Sequence, residues 1–410
     1  MSEWKNLMSS EIRQKRIITI DLLRGISIFM MLMAHIETYW LESESFWLIG
    51  IKFLIVQIMG TSNFTFVAGI GFAYSFQNNL KKSKSRNLTI KKTLSHTIIL
   101  IIVSFIFNGL QVLIGGLGLS GLWAWNILQC IAFCRLFGIL ILLVSKYFRF
   151  IIAIIWIFLT EIVISWMLPI YQVESFARIV FLLFFNPIHG DGFLIFFPFF
   201  IFGTLFGEFI QNFTSKDKIS TENKDLTKKS SRILEKWFLI GLGLFIFGLI
   251  IGLKPAGAER DYYELIKWIN THPNIDISSL PFFIMPNSYA WVLFCAGWQI
   301  MFAIVSFYII DLKGHFPKSS NIFNIFGKYS LSIYFGHYLL LYFPFFIDPN
   351  FSLNHIYIWF YFIGFEAIIW LIFYYLDKKQ HYKISLEFLI AVFSRKLNSF
   401  LNSKSKDSNQ

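Results

Sequence analysis

The chain has 410 residues, 56% of them hydrophobic, with 50 Phe and only 15% charged. A soluble domain carries about 25% charged residues, so this composition excludes an ordinary soluble enzyme and a disordered chain alike. The net charge of +12 invites a nucleic-acid reading, but the placement of the charges along the chain points elsewhere.

Apolar runs close to the roughly 20 residues that cross a bilayer recur along the whole length. They predict an all-α, polytopic transmembrane bundle of ten spans, at 17–40, 53–77, 93–114, 122–144, 150–170, 191–211, 236–254, 288–310, 321–347 and 355–376. Polar and charged residues run up to Arg16 and a full-length span follows, which is unlike a cleavable signal. The second span is irregular: Lys52 lies inside it and Gly60-Thr61-Ser62-Asn63 interrupts it, as in a broken helix or an interfacial helix leading into a span.

With the N-terminus inside, most lysines and arginines fall in 1–16, 78–92, 145–149, 212–235, 311–320 and the C-terminal tail. The outside loops hold Arg178, Lys254, Arg260 and Lys267. That asymmetry predicts both termini inside. It also assigns the basic excess to anionic inner-leaflet lipid rather than to nucleic acid, in a plasma (cytoplasmic) membrane. Residues 1–376 are read as one transmembrane domain and 377–410 as a cytoplasmic tail. In the tail, Lys383 to Leu401 forms an interfacial helix and the last eight residues are disordered. The loop 212–235 reads as polar and flexible, and short apolar or amphipathic pieces are expected at 174–185 and at Tyr262–Trp268.

The first span carries Asp21, Arg24 and His35 inside an apolar run. At 100° per residue, Arg24 and His35 lie about 20° apart around the axis and Asp21 and His35 about 40° apart, so all three share a stripe. The stripe covers roughly 21 Å of depth at 1.5 Å per residue. Charged groups at depth face a bundle interior or a water-filled site. Asp21 and Arg24, at i and i+3, also suit a simple ion pair at the membrane edge.

Elsewhere, His337 is predicted in the outer half of the ninth span. His189, beside Asp191, is predicted at the outer rim before the sixth. Imidazoles can take and return a proton near neutral pH. The fourth span carries Trp125, Asn126, Gln129 and Arg135. At that depth Arg135 needs a partner, either a carboxylate such as Glu161 or Asp21 or the phosphate of a cytosolic ligand. Glu161 and Glu366 read as structural pairs. Cys130 and Cys134 are i and i+4 on one helix with no further ligands nearby, so no metal site is expected.

Several segments carry a family resemblance. Arg16, Asp21, Arg24-Gly25 and then His35 resemble the opening of membrane-bound acyltransferases, acyltransferase family three included. Asn63-Phe64-Thr65-Phe66-Val67-Ala68-Gly69-Ile70, Trp125-Asn126-Ile127-Leu128-Gln129-Cys130-Ile131-Ala132 and Phe197-Pro198-Phe199-Phe200-Ile201-Phe202-Gly203 with Gly207 resemble the heparan-alpha-glucosaminide N-acetyltransferase-like (YeiB-type) group. Gly327-Lys328-Tyr329-Ser330-Leu331-Ser332-Ile333-Tyr334 with His337 resembles a span that both groups share.

The resemblance implies transfer of an acetyl or acyl group from cytosolic acetyl-CoA to a sugar or glycan hydroxyl or amine outside. It implies donor-binding roles for Arg24, Arg135, Lys328, Gln129 and Asn126. His35 would be the general base or transient acyl carrier, with His337 and Asp21 in the catalytic set, and His189, Asp191 and Asn63 would meet the acceptor. The implied partners are the CoA donor, the glycan acceptor, membrane lipid and a second copy in a homodimer. The residues also suit a transporter or exporter of a small polar or glycan substrate, which uses buried charges and broken helices in the same way.

Overall fold

A computed structural model describes residues 17–45, 56, 58–115, 122–123, 125–171, 192–216, 224–255, 281–285, 288–315 and 322–407. Its twelve α-helices are α1 (Ile18–Trp40), α2 (Thr61–Ser83), α3 (Arg86–Gly115), α4 (Ile127–Ile141), α5 (Lys146–Tyr171), α6 (Phe193–Lys216), α7 (Lys224–Ile251), α8 (Tyr289–Ser306), α9 (Ile322–Lys328), α10 (Ser330–Ile347), α11 (Tyr357–Lys378) and α12 (Leu386–Asp407). No strand occurs among the described residues, where two isolated bridges, Leu41–Leu353 and Pro255–Pro281, are the extended pairings. Among the described residues, eight helices are long and apolar enough to cross a membrane: α1, α3, α5, α6, α7, α8, α10 and α11. The fold is a polytopic helical membrane bundle.

The remaining spans expected from the sequence take other forms. The second is broken where the glycine suggested, with α2 starting after Gly60 at φ −87° and ψ −114°. Its Asn63, near the start, bonds to Leu23 and Ser27 of α1, so α2 begins part-way along α1 and runs on to the lysines at 81 and 82. The fourth is the 15-residue α4, capped by Asn126, whose side-chain oxygen accepts from Gln129 N at 2.9 Å. The ninth is two helices. Phe323 and Gly327 of α9 lie against Gly25 and Asp21 of α1, in descending order. His337 and Leu341 of α10 lie by His35 and Trp40, in ascending order. The chain therefore reverses around Tyr329, and His337 is the eighth residue of its helix rather than deep in a long span.

Two expectations for the polar segments are corrected. The loop 212–235 is largely helical, since α6 continues to Lys216 and α7 starts at Lys224. The tail helix starts at Leu386 and runs to Asp407, so most of the stretch expected to be disordered is helical. The expected pieces at 174–185 and 262–268 lie outside the described residues.

Small residues set the helix spacing. A side chain at Gly69 of α2 would run into the Phe200 carbonyl of α6, and one at Gly203 into that of Phe66. Backbones in contact are how helices associate where lipid removes the hydrophobic drive. The start of α1 is held from a distance: the Asp311 carboxylate accepts from Ile18 N and Thr19 N, each at 2.9 Å. It fills the role of an N-cap where Ile17 has no capping side chain and places negative charge at the positive helix end. That contact fixes the N-terminal end of the helix that carries the polar stripe.

Candidate functional site

His35, on α1, and His337, on α10, meet edge to face with ring centroids 5.1 Å apart. Tyr338 closes the cluster: its hydroxyl lies 3.2 Å from His35 Nδ1, and its ring is 4.3 Å from that of His337. Gln111 of α3 also bonds the Tyr338 hydroxyl. Tyr39 stacks on His35 and meets Tyr342 edge to face, extending an aromatic wall along α1 and α10.

The two imidazoles are not equivalent. His337 is 1% exposed, and its Nδ1 lies 2.6 Å from the Tyr334 carbonyl. A carbonyl only accepts, so Nδ1 carries the hydrogen and Nε2 presents its lone pair. That Nε2 is buried and has no partner among the described residues. His35 is partly exposed within the bundle, which makes it the imidazole a substrate can touch.

Beside this cluster lies a chain of amides. Asn108 of α3 donates to Gln129 Oε1 and to the Leu122 carbonyl, both at 2.9 Å, and accepts from Asn126. Gln129 is fully buried, and its Nε2 has no partner among the described residues. Phe107, next to Asn108, packs on Tyr334, Phe335 and Tyr338 of α10, so the amides sit next to the imidazoles. Asn63, also buried, leaves Oδ1 unbonded.

At the basic end of the bundle, a cavity of about 160 Å³ opens between α2, α3, α4 and α12. Its polar lining includes Lys92, His96, Arg135, Arg395 and Asn398, and no carboxylate faces it among the described residues. Arg135 lies 5.0 Å over the Phe72 ring and donates to His96 Nδ1 at 3.3 Å, while its Nε is buried without a partner. Neither carboxylate considered from the sequence serves as its counter-ion; Glu161 instead accepts from Tyr289 N at 3.1 Å. The Arg24 guanidinium reaches Gly71, one residue from Phe72, and raises the positive potential at Arg135. Three cationic side chains with no acid opposite fit an anionic ligand.

Arg24 and Arg135 are therefore brought together, and so are His35 and His337. The two groups lie apart, because eleven residues of α1 separate Arg24 from His35, about 16 Å. Asp21 stays at the N-terminal end of α1 near Gly327 and does not join the imidazoles. Lys328 is tied to Asp377, which also accepts from the Tyr329 hydroxyl at 2.8 Å, and it does not line the cavity. His189 and Asp191 lie outside the described residues. Sequence reasoning missed Tyr338, Gln111, Asn108, Lys92 and His96. His96 follows Lys91 and Lys92 in a charged stretch, and only its approach to Arg135 across two helices reveals it. Among the described residues no group of three or more His, Cys, Asp or Glu could hold a metal. The sulfurs of Cys130 and Cys134 lie 4.0 Å apart in the core.

Fold and site together define a multi-pass membrane protein with a pair of touching imidazoles inside the bundle and a basic cavity between α2, α3, α4 and α12. Residues 16–250 match the family described as heparan-alpha-glucosaminide N-acetyltransferase, catalytic, which covers more than half of the chain. The chain belongs to that family of membrane acetyltransferases. Comparison with curated proteins finds no match.

Proposed function

We propose that the protein transfers an acetyl group from cytosolic acetyl-CoA to a hydroxyl or amine of a sugar or glycan on the other side of the membrane. The observation that carries this reading is the contact of His35, on the helix that also bears Arg24, with His337 and Tyr338 of α10. Arg24 and Arg135 hold donor phosphates at the basic end, which the positive-inside distribution assigns to the cytosol. The thioester then reaches about 16 Å along α1 to His35. His35 takes the proton of the acceptor as its oxygen or nitrogen attacks the acetyl carbon. The carbon–sulfur bond breaks, and the thiolate leaving group recovers that proton. His337, anchored on the Tyr334 carbonyl, keeps His35 in place, and Tyr338 orients its Nδ1.

With labelled acetyl-CoA and a panel of membrane and envelope glycans, the purified protein is expected to label at least one sugar acceptor. Labelling of none, with CoA bound, would remove the glycan part of the reading.

The orientation has its own test. Single cysteines at Ser83, between α2 and α3, and Asn350, between α10 and α11, are both exposed positions. An impermeant thiol reagent applied to intact cells is expected to label Asn350→Cys and to spare Ser83→Cys. Equal labelling of the two rules out cytosolic access for the donor cavity.

A further inference from the structure

The C-terminal helix α12 reads from its sequence as an amphipathic helix lying on the membrane surface. Its position is more specific. Ile390 and Ser394 are buried against the bundle, and Ser394, Arg395 and Asn398 form one wall of the basic cavity opposite Arg135. The Oδ1 of Asn398 is buried there with no partner among the described residues.

The start of α12 is fastened at the same time. Glu387 accepts from Leu331 N at 2.8 Å and Ser332 N at 3.1 Å, which caps the N-terminus of α10. Leu386 N donates in return to Ser332 Oγ at 2.8 Å. A helix that merely floated on lipid would have no reason for a carboxylate bound to two backbone amides of another helix. The register fixed by Glu387 delivers Arg395, two turns further on, to the mouth of the cavity. The stretch that matches the family ends at 250, so this wall comes from outside it.

We propose that α12 is part of the ligand site: Arg395 binds the phosphate groups of a soluble, polyphosphate-bearing ligand together with Lys92 and Arg135. The assignment deepens the reading of this cavity as the donor's phosphate site and rests on it. The chemistry recognised is a cluster of phosphate oxygens, which charge-assisted contacts from guanidinium groups hold best. An anionic lipid headgroup offers the same chemistry from another source.

The test uses the full chain in phosphatidylcholine nanodiscs, titrated with CoA and with inorganic pyrophosphate. Arg395→Ala is expected to weaken both about 10-fold, the loss of one charge-assisted contact. Arg395→Lys should fall between it and the wild type. Lys396→Ala, an exposed neighbour that does not line the cavity, should bind as the wild type does and controls for folding. Arg395→Ala that binds CoA as tightly as Lys396→Ala overturns the role of α12 and leaves the donor reading intact. A wild type that binds pyrophosphate through Arg395 but not CoA keeps the role of α12 and removes the acetyl-CoA reading. Loss of CoA binding once phosphatidylglycerol replaces part of the phosphatidylcholine assigns the wall to a lipid headgroup and overturns the proposal.

Discussion

His35→Gln is expected to lower acetyl transfer about 10²–10⁴-fold, the range lost when a positioned general base is removed, while CoA binding and folding stay near wild type. The separation within the protein is what makes this expectation sharp. His35 lies about 16 Å along α1 from Arg24, so the substitution leaves the charged end of the donor site untouched. Glutamine keeps a hydrogen-bonding group near the Tyr338 hydroxyl, 3.2 Å from the present Nδ1, yet cannot take a proton. Its side chain also fills most of the volume of the imidazole, so loss of packing does not account for loss of rate. The measurement is single-turnover transfer alongside CoA-induced thermal stabilisation. Near wild-type transfer by His35→Gln would make His35 structural and pass the role to His337, whose Nε2 already presents an unbonded lone pair.

The sequence carries some of this site openly and hides the rest. His35 and Arg24 were legible because polar groups are rare in an apolar helix and a helical period of 3.6 puts them on one stripe. The contact of His35 with His337 could not be read off, since three hundred residues separate them and helix pairing leaves no local mark. Lys328 shows a second thing the sequence hides: a cation in a family-like segment suggested a donor contact, and its pairing with Asp377, 49 residues on, leaves no local mark. In the fold, the apolar runs located the spanning helices, whereas the reversal at Tyr329 has no composition signal. There the chain keeps its helical hydrogen bonds on both sides, from Tyr329 N to the Ile325 carbonyl and from Ile333 N to the Tyr329 carbonyl. The tail was misjudged for a related reason. Its serines and lysines suit a solvated coil, but Glu387 and the buried Ile390 fasten the helix onto the bundle.

Arg135→Met is expected to leave the unliganded protein as stable as the wild type or more so, and to remove most of the stabilisation that CoA confers. The two halves of that expectation have opposite signs for a physical reason. A guanidinium held among Phe72, His96 and the field of Arg24, with Nε unbonded and no carboxylate opposite among the described residues, costs desolvation energy that the contacts with His96 and Phe72 return only in part. Methionine keeps the length and the contact with the Phe72 ring without that cost. If Arg135 were there to support the fold, its removal would lower the melting temperature with and without ligand. If it is there for an anion, the ligand supplies the missing counter-charge, and the cost is recovered on binding alone. Wild-type protein at a hundredfold excess of ligand over Kd gains about 2.7 kcal/mol. A tenfold to hundredfold rise in Kd in Arg135→Met would reduce that gain to about 1.4 or 0.4 kcal/mol at the same concentration. Melting curves at several CoA concentrations separate the two outcomes, and a variant destabilised equally with and without CoA would return Arg135 to a structural role.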